Sequence, residues 1–410
     1  MKKLIGPFKE LLTLDGIALR GAVPDEKLEI IQEAGILLEK GTIKEIGVFE
    51  RMRISSGDPL VVQQLEEEVV GLPGFIDAHT HICFGGSRAR DYAMRVAGKS
   101  YLEIARSGGG IWDSVSQTRK ASLEELKEGI KERAKKQLEQ GITTVEVKSG
   151  YGLNQETEIR MLQAIREAGS EIALDLIPTC LAAHIHPKDF EGDKVTYLNY
   201  ILNEILPQIR KQSLANRVDI FIEDTAFEEE MSARFLRQAK SMSFDLTVHA
   251  DQFTPGGTKV AVETGALSAD HLEASREKEI ALLAQSNTIP VVLPGASLGL
   301  GEPFGPARKL LDAGASLAIA SDWNPGSAPM GQLLTQAAIL GTYEKLSTAE
   351  TLAALTFRAA AALGLKERGV LREGMLADIV AFPAKDHREI LYHQGSLKPV
   401  KVWKRGKAVV

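Results

Sequence analysis

Eight short apolar, β-rich runs recur through the middle of this 410-residue chain, near 72–77, 142–147, 172–179, 218–223, 245–250, 267–271, 289–293 and 316–321. Helix-like stretches separate most of them, and this alternation constrains the fold more than any other feature. A strand, a helix and a second strand in series build a parallel sheet, and eight such strands close into a (β/α)8 barrel. The helical stretches read near 123–140, 154–168, 195–211, 228–242, 276–286 and 328–345. In the first of them Leu123, Leu126, Ile130, Ala134 and Leu138 keep a helical period, and Gly141 marks its end. The connection from about 79 to 121 is long and contains Gly108-Gly109-Gly110. Structureless connections of that length are uncommon unless functional, so a substrate-covering loop is expected. Its glycines are no phosphate loop, because no Gly-Lys-Ser/Thr follows. Leu293–Gly301, rich in glycine, reads as a mobile rim loop.

The two ends of the chain follow another pattern. Gly35–Gly47 reads as a hairpin turning at Lys40-Gly41, and 378–382 and 400–410 read as strands. Neither end alone has enough strands for a stable sheet, so the two are expected to combine. Residues 1–68 and 367–410 then form a small β domain, and residues 69–366 form the barrel. A hydrophobic content of 44% with 25% charge excludes a disordered chain. The net charge of −6 argues against nucleic acid or an anionic membrane as a partner. With only Cys83 and Cys180 there is no disulfide scaffold, and a reducing, cytoplasmic setting is expected. No apolar run approaches the ~20 residues of a membrane span. The start, Met1 to Pro7, is interrupted too soon for a signal peptide.

A barrel carries its active site at the C-terminal ends of its strands. Five of the eight histidines fall there: His79, His81, His184, His249 and His271. Scattered core histidines would not favour one rim. His79 and His81 are two apart on a strand and so share a face, with Thr80 turned away. Taken alone the pair could be a polar strand end. His249 and Asp322 stand at matching positions, however, and three imidazoles with one carboxylate suit zinc or a similar ion. Such an ion lowers the pKa of water toward neutrality. Cys83 and Cys180 have no base placed beside them and read as buried thiols; His186 reads as pocket edge, and His387 and His393 as remote.

Leu72–His81 resembles the first-strand signature of the metal-dependent amidohydrolase superfamily, and Gly369–Val380 resembles that superfamily's return into its small β domain. The resemblance implies an amidohydrolase-type TIM barrel with a small β-sandwich domain built from both termini. Glu146–Leu153, His249–Gln252, Leu267–Leu272 and Asp322–Ser327 are similar, more narrowly, to members that open the ring of 4-imidazolone-5-propanoate. Those members yield N-formimino-L-glutamate, the third step of histidine breakdown. The resemblance implies one zinc or iron ion per subunit, held by His79, His81, His249 and Asp322. It implies substrate contacts from Arg88, Tyr151, His184, Gln252, Asn324, Gly326 and Ser327, and catalytic parts for Asp322, His271 and His184. In this reading Arg88 holds the propionate carboxylate, because a guanidinium fork matches two oxygens. His184 binds the ring carbonyl oxygen and stabilises its developing charge. Some members carry Glu where this chain has Gln252; glutamine is no base, so the proton passes to Asp322 or His271. Trp323 stands where many relatives have His and alters the pocket wall. Lys148 could be carboxylated and bridge two metals, but its neighbours match the single-metal members, so it is read as a non-ligand. Two other functions stay open: a single-metal aminopurine or cytosine deaminase, and a catalytically silent binding or scaffold protein. A homodimer is expected at this size.

Overall fold

The computed structural model describes residues 2–55 and 60–410. The N-terminal segment supplies five strands: β1 (Lys2–Leu12), β2 (Ile30–Glu39), β3 (Thr42–Val48), β4 (Leu60–Gln64) and β5 (Val70–Pro73). Eight barrel strands follow: β6 (Phe75–Asp77), β7 (Ile142–Lys148), β8 (Asp175–Ala183), β9 (Arg217–Ile220), β10 (Asp245–Ala250), β11 (Ser268–His271), β12 (Ile289–Val292) and β13 (Ala318–Ile319). The C-terminal segment adds β14 (Ile379–Phe382), β15 (Lys401–Lys404) and β16 (Lys407–Ala408).

Strands β6 to β13 pair in chain order, each parallel to the next. β7 shows why they form a barrel. Its Val145 and Val147 pack outward in one core with Leu126 and Ile130 of the helix Leu123–Leu138, while Glu146 and Lys148 alternate with them. That helix starts at a capping box, in which Ser122 Oγ accepts from Glu125 N and Glu125 accepts from Ser122 N. The ring closes just past the ends of β6 and β13. Asp322 N donates to His79 O at 3.0 Å and His81 N donates to Trp323 O at 2.9 Å. Below this seam Asp77 accepts from Ser321 N at 2.9 Å and from Gln137 Nε2 at 3.0 Å. The bonds that close the barrel therefore set His79, His81 and Asp322 side by side.

The first apolar run is not one strand. It divides at Gly74: β5 pairs with β14 and β1 in the small sheet, and β6 begins the barrel. A Cβ at Gly74 would drive into the Thr143 side chain, so only glycine lets the chain pass from one sheet to the other there. The long connection is not structureless either. It folds into helices Ala89–Val96, Tyr101–Arg106 and Ile111–Lys120, each too short for periodicity to reveal. Leu293–Gly301 is likewise no loop but the helix Pro294–Leu300, entered through proline and ended by Gly301 at φ 74°. Residues 18–23 leave the N-terminal strands and lie on the barrel, where Arg358 Nη2 donates to Ala18 O and Gly21 O, and Val23 N donates to Glu350.

The terminal strands share one sheet in the order β16-β15-β14-β5-β1-β2-β3, with β4 also on β1. The hairpin turn falls at Lys40-Gly41, both residues at positive φ (52° and 84°). Trp403 is fully buried in this sheet's core beside Phe8, with ring centroids 6.0 Å apart. Trp403→Ala is expected to lower unfolding stability by about 3–5 kcal/mol, read from denaturant titration. No described helix is long and apolar enough to cross a membrane.

Candidate active site

Three imidazoles converge at the rim. His81 Nε2 lies 3.2 Å from His79 Nε2 and 3.3 Å from His249 Nε2. Asp322 Oδ1 lies 3.6 Å from His79 Nε2 and 3.4 Å from His81 Nε2. All four side chains are buried. Tetrahedral zinc with bonds of about 2.0–2.1 Å has ligand atoms about 3.3 Å apart, so the spacing fits a metal site. The chemistry fits as well: among the described residues no donor reaches the buried Asp322 Oδ1, and a cation would satisfy it. His79, His81 and Asp322 are close enough together to hold an ion, as are His79, His249 and His271.

The far sides of two imidazoles face carboxylates. His79 Nδ1 is 2.7 Å from Asp270 Oδ2, and His249 Nδ1 is 2.8 Å from Asp219 Oδ2. Asp270 hydrogen-bonds His79 Nδ1, and the close Asp219 charge favours a proton on His249 Nδ1, which leaves both Nε2 lone pairs facing the cluster. Burial, reinforced by Lys148, holds the His79 and His81 pKa values well below the usual range, and burial lowers His249 to about 4. Neutral imidazoles are what a metal requires.

Tyr151, His184 and His271 surround this centre. The His184 ring stacks on His81 at 5.5 Å, Tyr151 lies 5.5 Å from His184, and His271 lies 5.2 Å from His249. His184 Nδ1 sits 3.0 Å from Gly150 O, so that nitrogen must carry the proton. Burial also holds His184 neutral. Its Nε2 is then left as an acceptor facing the cluster. Burial raises the Tyr151 phenol, which keeps its proton and remains a donor. At His271 burial works against the charged form, but Glu273 and Asp322 outweigh it and raise the pKa above the ordinary value. His271 (φ 88°) and Asp322 (φ 51°) both hold backbone conformations rare for non-glycine residues, a strain of about 1–3 kcal/mol each.

Arg88 precedes the helix Ala89–Val96, and its Nε donates to Asp91 at 2.8 Å. Its guanidinium lies against Gly326, where any Cβ would collide with it. The 324–327 turn and Arg88 thus meet. Asn324 uses its whole amide within that turn: Nδ2 donates to Asp322 O, Asp322 Oδ2 and Ser327 Oγ, and Oδ1 accepts from Gly326 N and Ser327 N. Its side chain therefore orients Asp322, and Ser327 Oγ adds a 3.4 Å bond to Asp322 Oδ2. Gln252 sits two residues past β10, half-buried, with no side-chain hydrogen bond to the cluster among the described residues. The Trp323 indole packs against Gly331.

The sequence reading overlooked Asp219, the Lys148 contacts and Asp91. Asp219 is a charge set between Val218 and Ile220 on a fully buried strand, a signal available beforehand. Lys148 is fully buried, with Nζ 2.7 Å from Glu146 and 2.8 Å from Asp219. Burial opposes its charge, but Asp219, Glu146 and Asp270 outweigh this and keep the ammonium protonated. His186 packs among Phe190 and Tyr197, and His387 pairs with Glu10 in the terminal region. Cys83 and Cys180 are buried and burial raises both thiols, so neither is a nucleophile.

Residues 70–409 match the model of the Amidohydrolase family. The imidazolonepropionase of Bacillus cytotoxicus is 38% identical over 409 residues, covering 98% of this chain and 95% of that protein. The imidazolonepropionase of Bdellovibrio bacteriovorus is 38% identical over 413 residues, covering 99% and 96%. Among solved structures, E. coli guanine deaminase superposes with a TM-score of 0.75 at 16% identity, covering 100% of this chain and 99% of that one. Atrazine chlorohydrolase TrzN from Arthrobacter aurescens TC1, complexed with zinc, gives 0.70 at 17% identity, covering 100% and 95%. At such identities the two structures speak for the fold alone. The sequence relatives speak for more: this chain belongs to the amidohydrolase family and, within it, to the imidazolonepropionases.

Proposed function

We propose that this chain hydrolyses 4-imidazolone-5-propanoate to N-formimino-L-glutamate, with one zinc or iron ion on His79, His81, His249 and Asp322. The observation that carries the reading is the convergence, on the rim that also holds Arg88, of three imidazole Nε2 atoms and a carboxylate oxygen without a partner among the described residues. When bound, the ion supplies Lewis acidity that brings the pKa of water toward neutrality. Arg88 pairs with the propionate carboxylate, and the guanidinium fork fixes the tail while the ring reaches the imidazoles. His184 Nε2 accepts a ring N–H, and the Tyr151 hydroxyl donates to a substrate oxygen. Gln252 orients the ring by hydrogen bonding. Asp322, whose Oδ1 faces the imidazoles, is placed to take the proton of the attacking water. As the ring C–N bond breaks, the departing nitrogen takes up a proton, which His271, beside His249 and Glu273, supplies.

The purified protein should open freshly prepared imidazolone propionate and form formiminoglutamate. Chelator dialysis should remove about one ion per chain and the activity with it, and zinc or ferrous iron should restore both. Full activity in metal-free protein would remove the ion from the reaction. A content near two ions would restore the two-metal alternative, against which Lys148 Nζ is already held by carboxylates. Ammonia released from guanine or cytosine, with no ring opening of imidazolone propionate, would favour a deaminase.

A further inference from the structure

The mechanism above gives no part to the buried ammonium of Lys148. Lys148 ends β7 and its side chain is completely enclosed. Its Nζ lies 2.7 Å from Glu146 Oε1, 2.8 Å from Asp219 Oδ2 and 3.9 Å from Asp270 Oδ2. Asp219, on β9, and Asp270, on β11, are the two carboxylates that face His249 Nδ1 and His79 Nδ1. One ammonium thus reaches across the barrel interior to both carboxylates, and through them to an imidazole on β10 and one just past β6.

We propose that Lys148 is a positioning residue for the metal centre, fixing Asp219 and Asp270 so that His249 and His79 present their Nε2 lone pairs at one point. The inference rests on the metal reading above. The physical need is clear. Glu146, Asp219 and Asp270 are buried within reach of one another, and without a shared cation they would repel and turn away. A carboxylate that turns releases its ring, and an imidazole free to rotate or change tautomer no longer offers Nε2 in the required direction. Glu146 fixes the ammonium from its other side. Its Oε2 lies 3.4 Å from Thr80 N, and its main-chain O accepts from Thr80 Oγ1 at 2.6 Å, so the network also ties β7 to the His79-Thr80-His81 segment. The Lys148 ammonium, held by Glu146 and Asp219, has no lone pair to offer the ion.

The test is cobalt binding to chelator-stripped full-length protein, by competition with a chromophoric chelator and by the visible d–d spectrum. Wild type should bind Co2+ with a four- or five-coordinate spectrum; failure of wild type to bind would remove the metal reading itself, separately from the part given to Lys148. Lys148→Met keeps the length and removes the charge. Loss of partners behind metal ligands costs roughly 10–100-fold in affinity, and K148M should fall in that range with an altered spectrum. Its KM should stay near wild type while kcat falls, since substrate contacts are untouched. Because K148M leaves carboxylates unpaired and endangers folding, Asp219→Asn serves as the second variant. It keeps the shape of the carboxylate through which Lys148 acts, and it should show the same spectral change and at least a tenfold loss of affinity. A folded K148M, or a D219N, that binds cobalt with wild-type affinity and spectrum overturns the proposal.

Discussion

Asp322→Asn is expected to lower kcat/KM by about 10²–10⁴-fold, the range lost when a positioned proton acceptor is removed. The substitution keeps volume and shape, so the barrel seam through Asp322 N and His79 O survives. What disappears is the charge on an oxygen that faces two imidazoles and has no hydrogen-bond donor among the described residues. The variant also separates two parts that one carboxylate plays in the proposed mechanism. If D322N retains its ion while kcat collapses, the carboxylate acts on the proton. If ion and activity leave together, it acts first as a ligand. Rates within tenfold of wild type would remove Asp322 from both parts. Metal analysis beside steady-state kinetics reads all three results.

Arg88→Ala should raise KM for imidazolone propionate by about 10²–10³-fold, with a much smaller change in kcat. A buried charge-assisted pair loses about 2–5 kcal/mol when one partner is truncated, and each 1.4 kcal/mol is tenfold. The geometry explains the size of the effect. The guanidinium is mostly shielded, backed by Asp91 and seated on Gly326, so no water replaces it cheaply. Arg88→Lys should recover only part of the loss, because an ammonium lacks the paired donors. A wild-type KM in R88A would show that the propionate binds elsewhere. Gly326→Ala should act in the same direction, since its new methyl would push the guanidinium aside.

The barrel was legible because its signal is local. Apolar runs alternating with helical periods report strands and helices from nearest neighbours alone, and the histidines at the run ends marked the rim before any coordinates. The three short helices between Ala89 and Lys120, and Pro294–Leu300, escaped for the opposite reason. Helices of two turns carry too few repeats to show a period, and tertiary contacts such as Arg95 Nη1 to Gly299 O support them.

At the site the division is similar. Residue types and strand ends sufficed to nominate His79, His81, His249 and Asp322, since a side chain's place along a strand decides whether it meets the rim. Nothing in one dimension shows that Asp270 faces His79 across 191 positions, that Lys148 reaches Asp219, or that Gly150 O takes the proton side of His184. Those pairings depend on which strands the closed ring sets opposite one another. Proton placement and charge balance in a buried cluster are set by through-space distances of a few ångströms, and only the tertiary structure supplies these.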